Sequence, residues 1–252
     1  MLELKNLCAG YGKKQILTDI SLSFKKSELI SVIGPNGSGK STMLKAAIGI
    51  IPVLFGDVYI DGENINGLSR RRIAEKAAYL SQGKNVPDMT VSQLVLHGRF
   101  PHLSYPRRYT EKDKNIVSAA LNELGILELA ERPLSSLSGG MQQNAYIAMA
   151  LAQDTDYILL DEPTTYLDIF HQLELMKTLR KLASFGKGVI AVLHDLPLAF
   201  AFSDGIVVLK DGAIAAEGAP NDIYKHPVIR EVFGVELDYS KEEQSYHYKY
   251  CR

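Results

Sequence analysis

One short stretch carries the residue types with which proteins hold phosphate groups. It reads glycine, four variable positions, glycine, lysine and serine: Gly34-Pro35-Asn36-Gly37-Ser38-Gly39-Lys40-Ser41. Glycines let the backbone curl until several N–H groups point at one spot. The lysine can then reach terminal phosphates, and the serine hydroxyl can bind Mg²⁺. A glycine-rich turn with a chance lysine is the alternative, and the flanking sequence disfavours it.

Two carboxylates and a histidine follow apolar runs further along the chain. Asp161 and Glu162 end the run 157–160, and His194 follows the run 189–193. Asp161 can hold a Mg²⁺ shell, while Glu162, pointing the other way, can polarise an attacking water. A solvated strand end is the alternative for the carboxylates. His194 could be structural or could contact a γ-phosphate.

The elements that must position these groups are the strands of one sheet. The runs 29–33, 157–160 and 189–193 are short and apolar, which is typical of strands buried on both faces of a parallel sheet. Ligands of such sheets bind at the carboxyl ends of the strands, so Asp161 and Glu162 are predicted to emerge beside the glycine loop. A helix is predicted after that loop from apolar residues at helical spacing: Leu44, Ala47, Ile48 and Ile51.

A second glycine segment opens another predicted helix. Residues 137–143 read Leu-Ser-Gly-Gly-Met-Gln-Gln and lead into the apolar helix 145–152. A serine and two glycines at a helix N-terminus can form an anion-binding concavity. An ordinary N-cap explains the same residues, and the segment alone favours that simpler interpretation.

The bulk composition excludes several classes of protein. In 252 residues, 28 basic and 29 acidic side chains nearly balance, so nothing favours nucleic acid as a partner. Cys8 and Cys251 show no metal or redox spacing, which indicates a reducing compartment. No signal peptide opens the chain, and no run approaches the ~20 apolar residues that cross a bilayer. We expect a protein that is soluble by itself and can still bind a membrane partner.

The pattern of secondary structure changes twice along the chain. Residues 1–28 alternate in polarity and predict antiparallel strands. Tyr11 lies there between two glycines and is either a turn residue or a flat surface for stacking an adenine. Helices are predicted at 91–97 and 112–124. The loop 98–108 between them is interpreted as structured and as able to face a partner.

We therefore predict an α/β fold with a helical insertion. The predicted parts are a core with an antiparallel β-subdomain over 1–85 and 153–235, an α-helical subdomain over 86–152, and a C-terminal tail over 236–252. The tail is polar and rich in tyrosine, which favours poor order.

In combination, these pieces resemble the ATP-binding subunit of an ABC transporter. The motifs follow the family's order: an A-loop aromatic (Tyr11), Walker A (34–41), Q-loop (Gln82), signature (137–141), Walker B (157–162), D-loop (166–168) and switch histidine (His194). The match covers residues 1–235 and is highly specific, because a signature between Q-loop and Walker B separates ABC ATPases from other P-loop proteins. It implies a single ABC ATPase domain over 1–252 with a RecA-like P-loop NTPase core.

The resemblance implies ATP and Mg²⁺ as cofactors and gives individual residues a role. The implied catalytic residues are Lys40, Gln82, Glu162 and His194. The implied metal ligands are Ser41, Gln82 and Asp161. The implied nucleotide contacts are Tyr11, Gly34, Pro35, Asn36, Gly37, Ser38, Gly39, Lys40, Ser41, Thr42, Ser138, Gly139, Gly140 and Asp168.

The resemblance also implies partners. Two copies would face each other head to tail, with each ATP held between Walker A of one copy and the signature of the other. Gln82 and the region 90–108 would contact the transmembrane permease subunits, so that closure on ATP and reopening after hydrolysis drive transport. This implies a cytoplasmic protein, peripheral on the inner face of the cell membrane.

A finer resemblance is to importer ATPases for iron-siderophores, haem or cobalamin. It rests on Thr90-Val91, on residues 98–102 and on residues 160–172. Two other functions stay open: a nucleotide-binding regulatory or scaffold module that barely turns over, and an exporter ATPase. A soluble ABC ATPase of DNA repair or translation is disfavoured, because those proteins usually carry two cassettes or a long coiled coil.

Two positions depart from the family's signature. Methionine stands at 141, where glutamine is usual, and asparagine stands at 144, where arginine is usual. Met141 cannot offer the polar contact that glutamine would give to nucleotide across the dimer. We therefore predict hydrolysis that is active but weakened.

Overall fold

Three β-sheets and nine α-helices make up the described part of this computed structural model, which covers residues 1–81, 86–165, 167–240, 242 and 245–249. The strands are β1 (Leu2–Tyr11), β2 (Lys14–Phe24), β3 (Leu29–Ile33), β4 (Val53–Ile60), β5 (Glu63–Asn64), β6 (Ala77–Leu80), β7 (Tyr157–Asp161), β8 (Gly188–Val192), β9 (Gly205–Lys210), β10 (Ala213–Gly218), β11 (Glu236–Ser240) and β12 (Ser245–Lys249). The helices are α1 (Lys40–Ala47), α2 (Arg70–Lys76), α3 (Val91–Leu96), α4 (Glu111–Glu123), α5 (Gly139–Ala152), α6 (Ile169–Ser184), α7 (Leu196–Phe202), α8 (Pro220–Lys225) and α9 (Val228–Phe233). Of the predicted site residues, Gln82 lies outside the described residues, as does the D-loop residue Tyr166.

The central sheet has six strands in the order β10-β9-β3-β8-β7-β6. All neighbours run parallel except the β9–β10 hairpin. Every residue of β7 and β8 is buried, because one face of the sheet packs against α6 and α7 and the other against α1 and an antiparallel sheet. The register pairs Val32 with Val192 and Asp161 with Val192, so β3, β7 and β8 end at the same edge.

A second sheet is antiparallel and covers one side of the core. Its order is β2-β1-β4-β5, and β1 pairs with both β2 and β4. Inward-facing residues such as Leu4 and Ile20 pack with Met43 and Leu44 of α1 in one buried cluster. The antiparallel strands predicted for residues 1–28 are confirmed.

Helices α3, α4 and α5 form the helical insertion. They share one apolar cluster that includes Val95, Leu121 and Ile147. Thr90 and Thr110 begin α3 and α4 with reciprocal capping boxes, which explains where these helices start. The predicted α/β fold with an antiparallel β-subdomain and a helical insertion is confirmed.

One glutamine joins the helical insertion to the core. The Gln153 side-chain amide, just after α5, donates to the backbone oxygens of Ala74 at 2.6 Å and Ala77 at 3.2 Å. Its own backbone oxygen contacts Nε2 of His102 at 2.7 Å. The end of α5, the 98–108 loop and the start of β6 therefore meet at one residue.

The 98–108 loop is held from its inner side by Arg99. This buried guanidinium donates to Asp113 at 2.9 Å and to the backbone oxygen of Ala152 at 2.8 Å. Gly98 is needed because a Cβ there would lie 2.2 Å from the Met149 oxygen. Arg99 is therefore a structural residue, while Tyr105, nearly fully exposed, is presented to the outside.

Helix α1 is shorter than its apolar spacing predicts. It ends at Ala47, since Gly49 adopts a φ of +69° and donates to Ala46, while Ile50 donates to Lys45. These two bonds are a Schellman ending, which needs a left-handed residue. Ile51, predicted on the helical face, is still buried but lies beyond the helix.

The expectation of a poorly ordered tail is wrong for residues 236–240 and 245–249. Strands β11 and β12 pair as an antiparallel hairpin. Tyr246 of this hairpin packs against the rings of Phe200, Tyr224 and Tyr239 at centroid distances of 5.2, 5.6 and 4.8 Å. Burial of these aromatic rings offsets the conformational entropy that is lost when the tail becomes ordered. The polar residues between the rings conceal this in the sequence.

Candidate functional site

The glycine loop connects the end of β3 to the start of α1. Its backbone is tightly enclosed: a Cβ on Gly34 would lie 2.2 Å from the Leu209 oxygen, and one on Gly39 would lie 2.6 Å from the Leu17 side chain. Gly39 is also the N-cap of α1, with a φ of +101°. Glycine is required at both positions, and the loop ends at the positive end of a helix dipole.

The side chain of Lys40, the first residue of α1, folds back into this loop. Its ammonium group donates to the backbone oxygens of Gly34 at 2.7 Å and Pro35 at 3.0 Å, and the residue is only 5% exposed. Burial lowers the pKa of Lys40, and the carboxylates of Glu162 and Asp161 oppose that shift. The side chain is thus a buried cation held by carbonyls, which suits an anionic ligand.

A buried hydroxyl in the same loop has no hydrogen-bond partner within the described part of the chain. It is Oγ of Ser38, which is 3% exposed. Burying a hydroxyl without a partner is costly, so native sites that contain one usually complete it with a ligand or an ordered water. This orphaned hydroxyl, the backbone curl and Lys40 together fit a polyphosphate.

Asp161 at the end of β7 reaches back to the glycine loop. Its carboxylate accepts from the Ser41 hydroxyl at 2.8 Å and from the Tyr79 hydroxyl at 3.0 Å. Burial, reinforced by the Asp161 charge, raises the pKa of Tyr79 well above its ordinary value, so this hydroxyl stays a donor. The sequence did not single out Tyr79, because only the pairing of β6 with β7 brings it to Asp161.

The two oxygen ligands Ser41 and Asp161 suit a hard cation. Among the described residues, no cluster of three or more His, Cys, Asp or Glu side chains could hold a metal ion. Mg²⁺ is characteristically bound by one or two protein ligands together with substrate phosphates. The residues therefore fit Mg²⁺ that arrives with a phosphate ligand.

Glu162 and His194 form a pair across the ends of β7 and β8. His194 Nε2 lies 2.6 Å from Glu162 Oε1, and the Thr165 hydroxyl donates to Oε2 at 3.2 Å. Glu162 has a φ of +51°, which is uncommon outside glycine. Such backbone geometry is found where the surrounding fold dictates a side chain's position.

Lys40, Ser41, Glu162 and His194 open into one cavity of about 690 Å³, whereas the predicted site residues Gly34, Pro35, Ser38 and Asp161 are not among its described lining residues. It is lined by Tyr11, Lys14, Ile16, Asn36, Gly37, Gly39, Lys40, Ser41, Thr42, Glu162 and His194. Lys14 and Ile16 were not singled out from the sequence. Lys14 is paired with Tyr11 across the β1–β2 turn. A lysine placed opposite an exposed aromatic residue was therefore the signal from which Lys14 could have been predicted to line the site.

The second glycine segment lies elsewhere. Among the described residues that line the cavity there are none from 138–140, nor is Asp168 there. Ser138 caps α5 by accepting from the Met141 N–H at 3.4 Å. A Cβ on Gly140 would lie 3.4 Å from His171, whose N–H donates to the Asp168 cap of α6 at 2.9 Å. Gly140 and Asp168 thus share a surface that is separate from the glycine-loop cavity.

Known proteins match this chain over nearly its whole length. The family model described as ABC transporter matches residues 17–165. The petrobactin import ATP-binding protein FpuD of Bacillus anthracis is 41% identical over 243 residues, which cover 96% of this chain and 89% of the relative. The iron(3+)-hydroxamate import ATP-binding protein FhuC of Bacillus subtilis (strain 168) is 41% identical over 239 residues, covering 94% and 89%.

Solved structures share the fold. A metal-chelate type ABC transporter in an inward-facing conformation superposes with a TM-score of 0.86 at 26% identity, covering 100% of this chain and 97% of that chain. The dimeric bacterial cassette MJ0796 has a TM-score of 0.76 at 32% identity, covering 87% and 99%. In the described part of the present chain, no helix is both long and apolar enough to cross a membrane.

Proposed function

The chain belongs to the ABC transporter family of ATP-binding subunits, and we propose that it hydrolyses ATP to power the import of an iron chelate. The observation that carries this proposal is the cavity in which Lys40, Glu162 and His194 meet. It combines a buried cation for phosphates with a carboxylate–imidazole pair for chemistry. The family relationship makes ATP the ligand, and the cargo follows from the relatives that import petrobactin and iron(3+)-hydroxamate.

Each side chain has a task in this proposal. Lys40 leaves the Gly34 and Pro35 oxygens and donates to the terminal phosphates, where Ser38 also finds a partner. Tyr11 stacks on the adenine. Residues 34–42, apart from Pro35, which has no N–H, supply the remaining contacts through their backbone N–H groups and the helix N-terminus. None of these interactions requires the loop to refold, because the cavity is preformed.

Hydrolysis is assigned to the pair at the other wall of the cavity. Glu162 accepts the proton of the attacking water, and His194 donates to the γ-phosphate. The 2.6 Å contact between them must open for both groups to face the nucleotide. Mg²⁺, when bound, neutralises charge on the phosphates; Ser41 and Asp161 would hold it, with Gln82 as the third ligand that the resemblance implies.

A second copy of the chain completes the site. Ser138, Gly139, Gly140 and Asp168 would meet the nucleotide of that copy in a head-to-tail dimer. Their location away from the cavity of their own chain supports this, as does the likeness to a dimeric cassette. The phosphate loop is then one side of a clamp that closes on ATP.

Permease subunits are the proposed membrane partner. Gln82 and the region 90–108 would contact them, and the exposed rings of Phe100 and Tyr105 give that region an apolar outer surface. The chain would lie in the cytoplasm, peripheral on the inner face of the membrane. Nucleic acid is not a proposed partner, since the net charge is −1.

ATP hydrolysis with and without the permease tests the proposal. Glu162→Gln should bind ATP yet lose hydrolysis by about 100-fold or more. Glu174→Gln, which changes an exposed carboxylate on α6, should behave like the wild type. In proteoliposomes that hold the permease and binding protein, uptake of labelled ferric hydroxamate should require wild-type chain and ATP. ATP-dependent efflux, or uptake that Glu162→Gln leaves intact, would contradict the proposal.

A second candidate is a nucleotide-binding module that barely turns over. Met141 and Asn144 favour it, because Met141 removes a polar group and Asn144 removes a positive charge from the segment that would complete the partner's site. Wild-type hydrolysis no faster than that of Glu162→Gln, with the permease present, would establish this alternative.

A further inference from the structure

The C-terminal hairpin contacts the segment that carries His194. The backbone N–H of Leu196 donates to the Tyr248 hydroxyl at 3.1 Å. Leu196 is the first residue of α7, where N–H groups have no partner inside the helix. It is only 2% exposed, so its N–H depends on a protein partner more than an open helix end does.

His194 lies in a short span that is held at both ends. On the sheet side, the Leu193 N–H donates to the Val32 oxygen at 3.1 Å. On the helix side, Leu196 is held by Tyr248, and the Asp195 side chain accepts from the Leu198 N–H at 2.8 Å. Two residues, His194 and Asp195, separate the fixed points, so a shift at Leu196 reaches the His194 backbone through Asp195 alone.

Tyr248 itself is held in place by the packing of its hairpin. The neighbouring strand residue Tyr246 holds the hairpin through its ring, which packs on Phe200 of α7. Its hydroxyl donates separately to Asn221 of α8 at 3.2 Å and takes no part in that ring contact. Burial raises the pKa of Tyr248, the Leu196 N–H opposes this shift, and the charge of Asp195 adds to it. The hydroxyl therefore stays protonated and neutral across the physiological pH range, and its oxygen can accept a hydrogen bond from the backbone N–H.

We propose that Tyr248 is a positioning residue for the switch histidine: its hydroxyl holds the start of α7 and so sets where His194 meets Glu162 and the γ-phosphate. The inference rests on the proposed ATPase function. It gives the tyrosine-rich tail a part in hydrolysis without contact to the nucleotide. Glu162 and His194 would then be aligned from two sides, by the sheet and by the C-terminal hairpin.

The hairpin offers a matched pair of variants. Tyr248→Phe removes the hydroxyl at Leu196, and Tyr246→Phe removes the hydroxyl at Asn221; both keep the aromatic ring. In the full-length chain, Tyr248→Phe should lower kcat about fivefold, an effect of the size that one hydrogen bond supports, with KM for ATP unchanged. Tyr246→Phe should keep the wild-type kcat, while both variants show similar thermal stability.

A second measurement is independent of activity. The ring nitrogen resonances of His194, assigned with a His194→Gln variant, should shift in Tyr248→Phe and stay in place in Tyr246→Phe. Equal kcat values or equal shifts in the two variants would overturn the inference. If the wild-type chain hydrolyses no ATP, the proposed function fails, while the His194 resonances still decide whether Tyr248 positions this residue.

Discussion

The Ser41 hydroxyl donates to Asp161 at 2.8 Å, although 120 residues separate them along the chain. This contact joins the glycine loop to the end of β7. It also pairs two oxygen ligands that suit Mg²⁺ when a phosphate completes the shell. The hydroxyl donates its proton to Asp161 and keeps its lone pairs, so its oxygen can face a cation while this bond is retained.

Asp161→Asn should therefore separate nucleotide binding from hydrolysis. We expect hydrolysis to fall by about 100-fold or more, because charge neutralisation at the phosphates is worth several kcal/mol. ATP binding measured in EDTA should be retained. Asp156→Asn, an exposed carboxylate just before the same strand, is the control. Full activity of Asp161→Asn at ordinary Mg²⁺ concentrations would remove Asp161 from the metal site.

Met141→Gln should raise hydrolysis if the signature acts across a dimer. Met141 is 41% exposed at the start of α5, where a glutamine amide could reach the partner's nucleotide. We expect a gain of about threefold, consistent with one added hydrogen bond. Nucleotide-driven dimerisation, measured by light scattering, should strengthen with it. Met141→Leu keeps the apolar character and should stay at the wild-type rate. Unchanged rate and dimerisation in Met141→Gln would show that methionine does not weaken the signature.

The buried Asp113 predicts a pH dependence of stability. Burial by itself would raise the pKa of Asp113, but hydrogen bonds from Thr110 and Arg99 outweigh it and lower the pKa to about 2. Because the folded-state pKa lies below the ordinary 3.8, the ionised form stabilises the fold above pH ~4 and loses that effect as the pH falls toward 2. The contribution is roughly 2 kcal/mol.

Urea unfolding of Asp113→Asn tests this directly. At pH 7 the variant should be destabilised by about 3 kcal/mol, because Arg99 keeps its buried charge without a counter-ion. The difference in unfolding free energy between variant and wild type should narrow as the pH falls from about 4 toward 2. Glu111→Gln changes an exposed carboxylate in the same first turn of α4 and should show almost no effect at either pH. A difference that stays constant with pH would contradict a depressed pKa.

Gln153→Leu should weaken the coupling between ATP hydrolysis and the permease more than it lowers basal ATP hydrolysis. Gln153 ties the end of α5 to Ala74 and Ala77, and its backbone meets His102 of the loop proposed to face the permease. We expect the basal ATPase to stay within about twofold and the permease-stimulated part to fall about fivefold. Gln142→Leu also loses two bonds to backbone oxygens, but both lie inside the helical insertion. Its stimulation ratio should be preserved, and equal losses in the two variants would refute a coupling role.

The sequence by itself determined the chemistry at one edge of the sheet. The spacing Gly34–Ser41, the carboxylates after one apolar run and the histidine after another were readable because parallel strands present their carboxyl ends together. The family resemblance, carried by those local motifs, was confirmed by the relatives. The starts of α3 and α4 also depend on local sequence signals, since each helix begins at a threonine capping box.

Only the tertiary structure decided which distant groups meet. Tyr79 reaches Asp161 across a strand pair, Arg99 pairs with Asp113 inside the insertion, and Tyr248 reaches the segment after His194. The prediction of a poorly ordered tail was wrong because nothing in its alternating polar and aromatic residues indicates the aromatic rings on α7 and α8 against which they pack. Local patterns report the conformation of a segment, whereas partners far apart in sequence depend on the packing of the whole core.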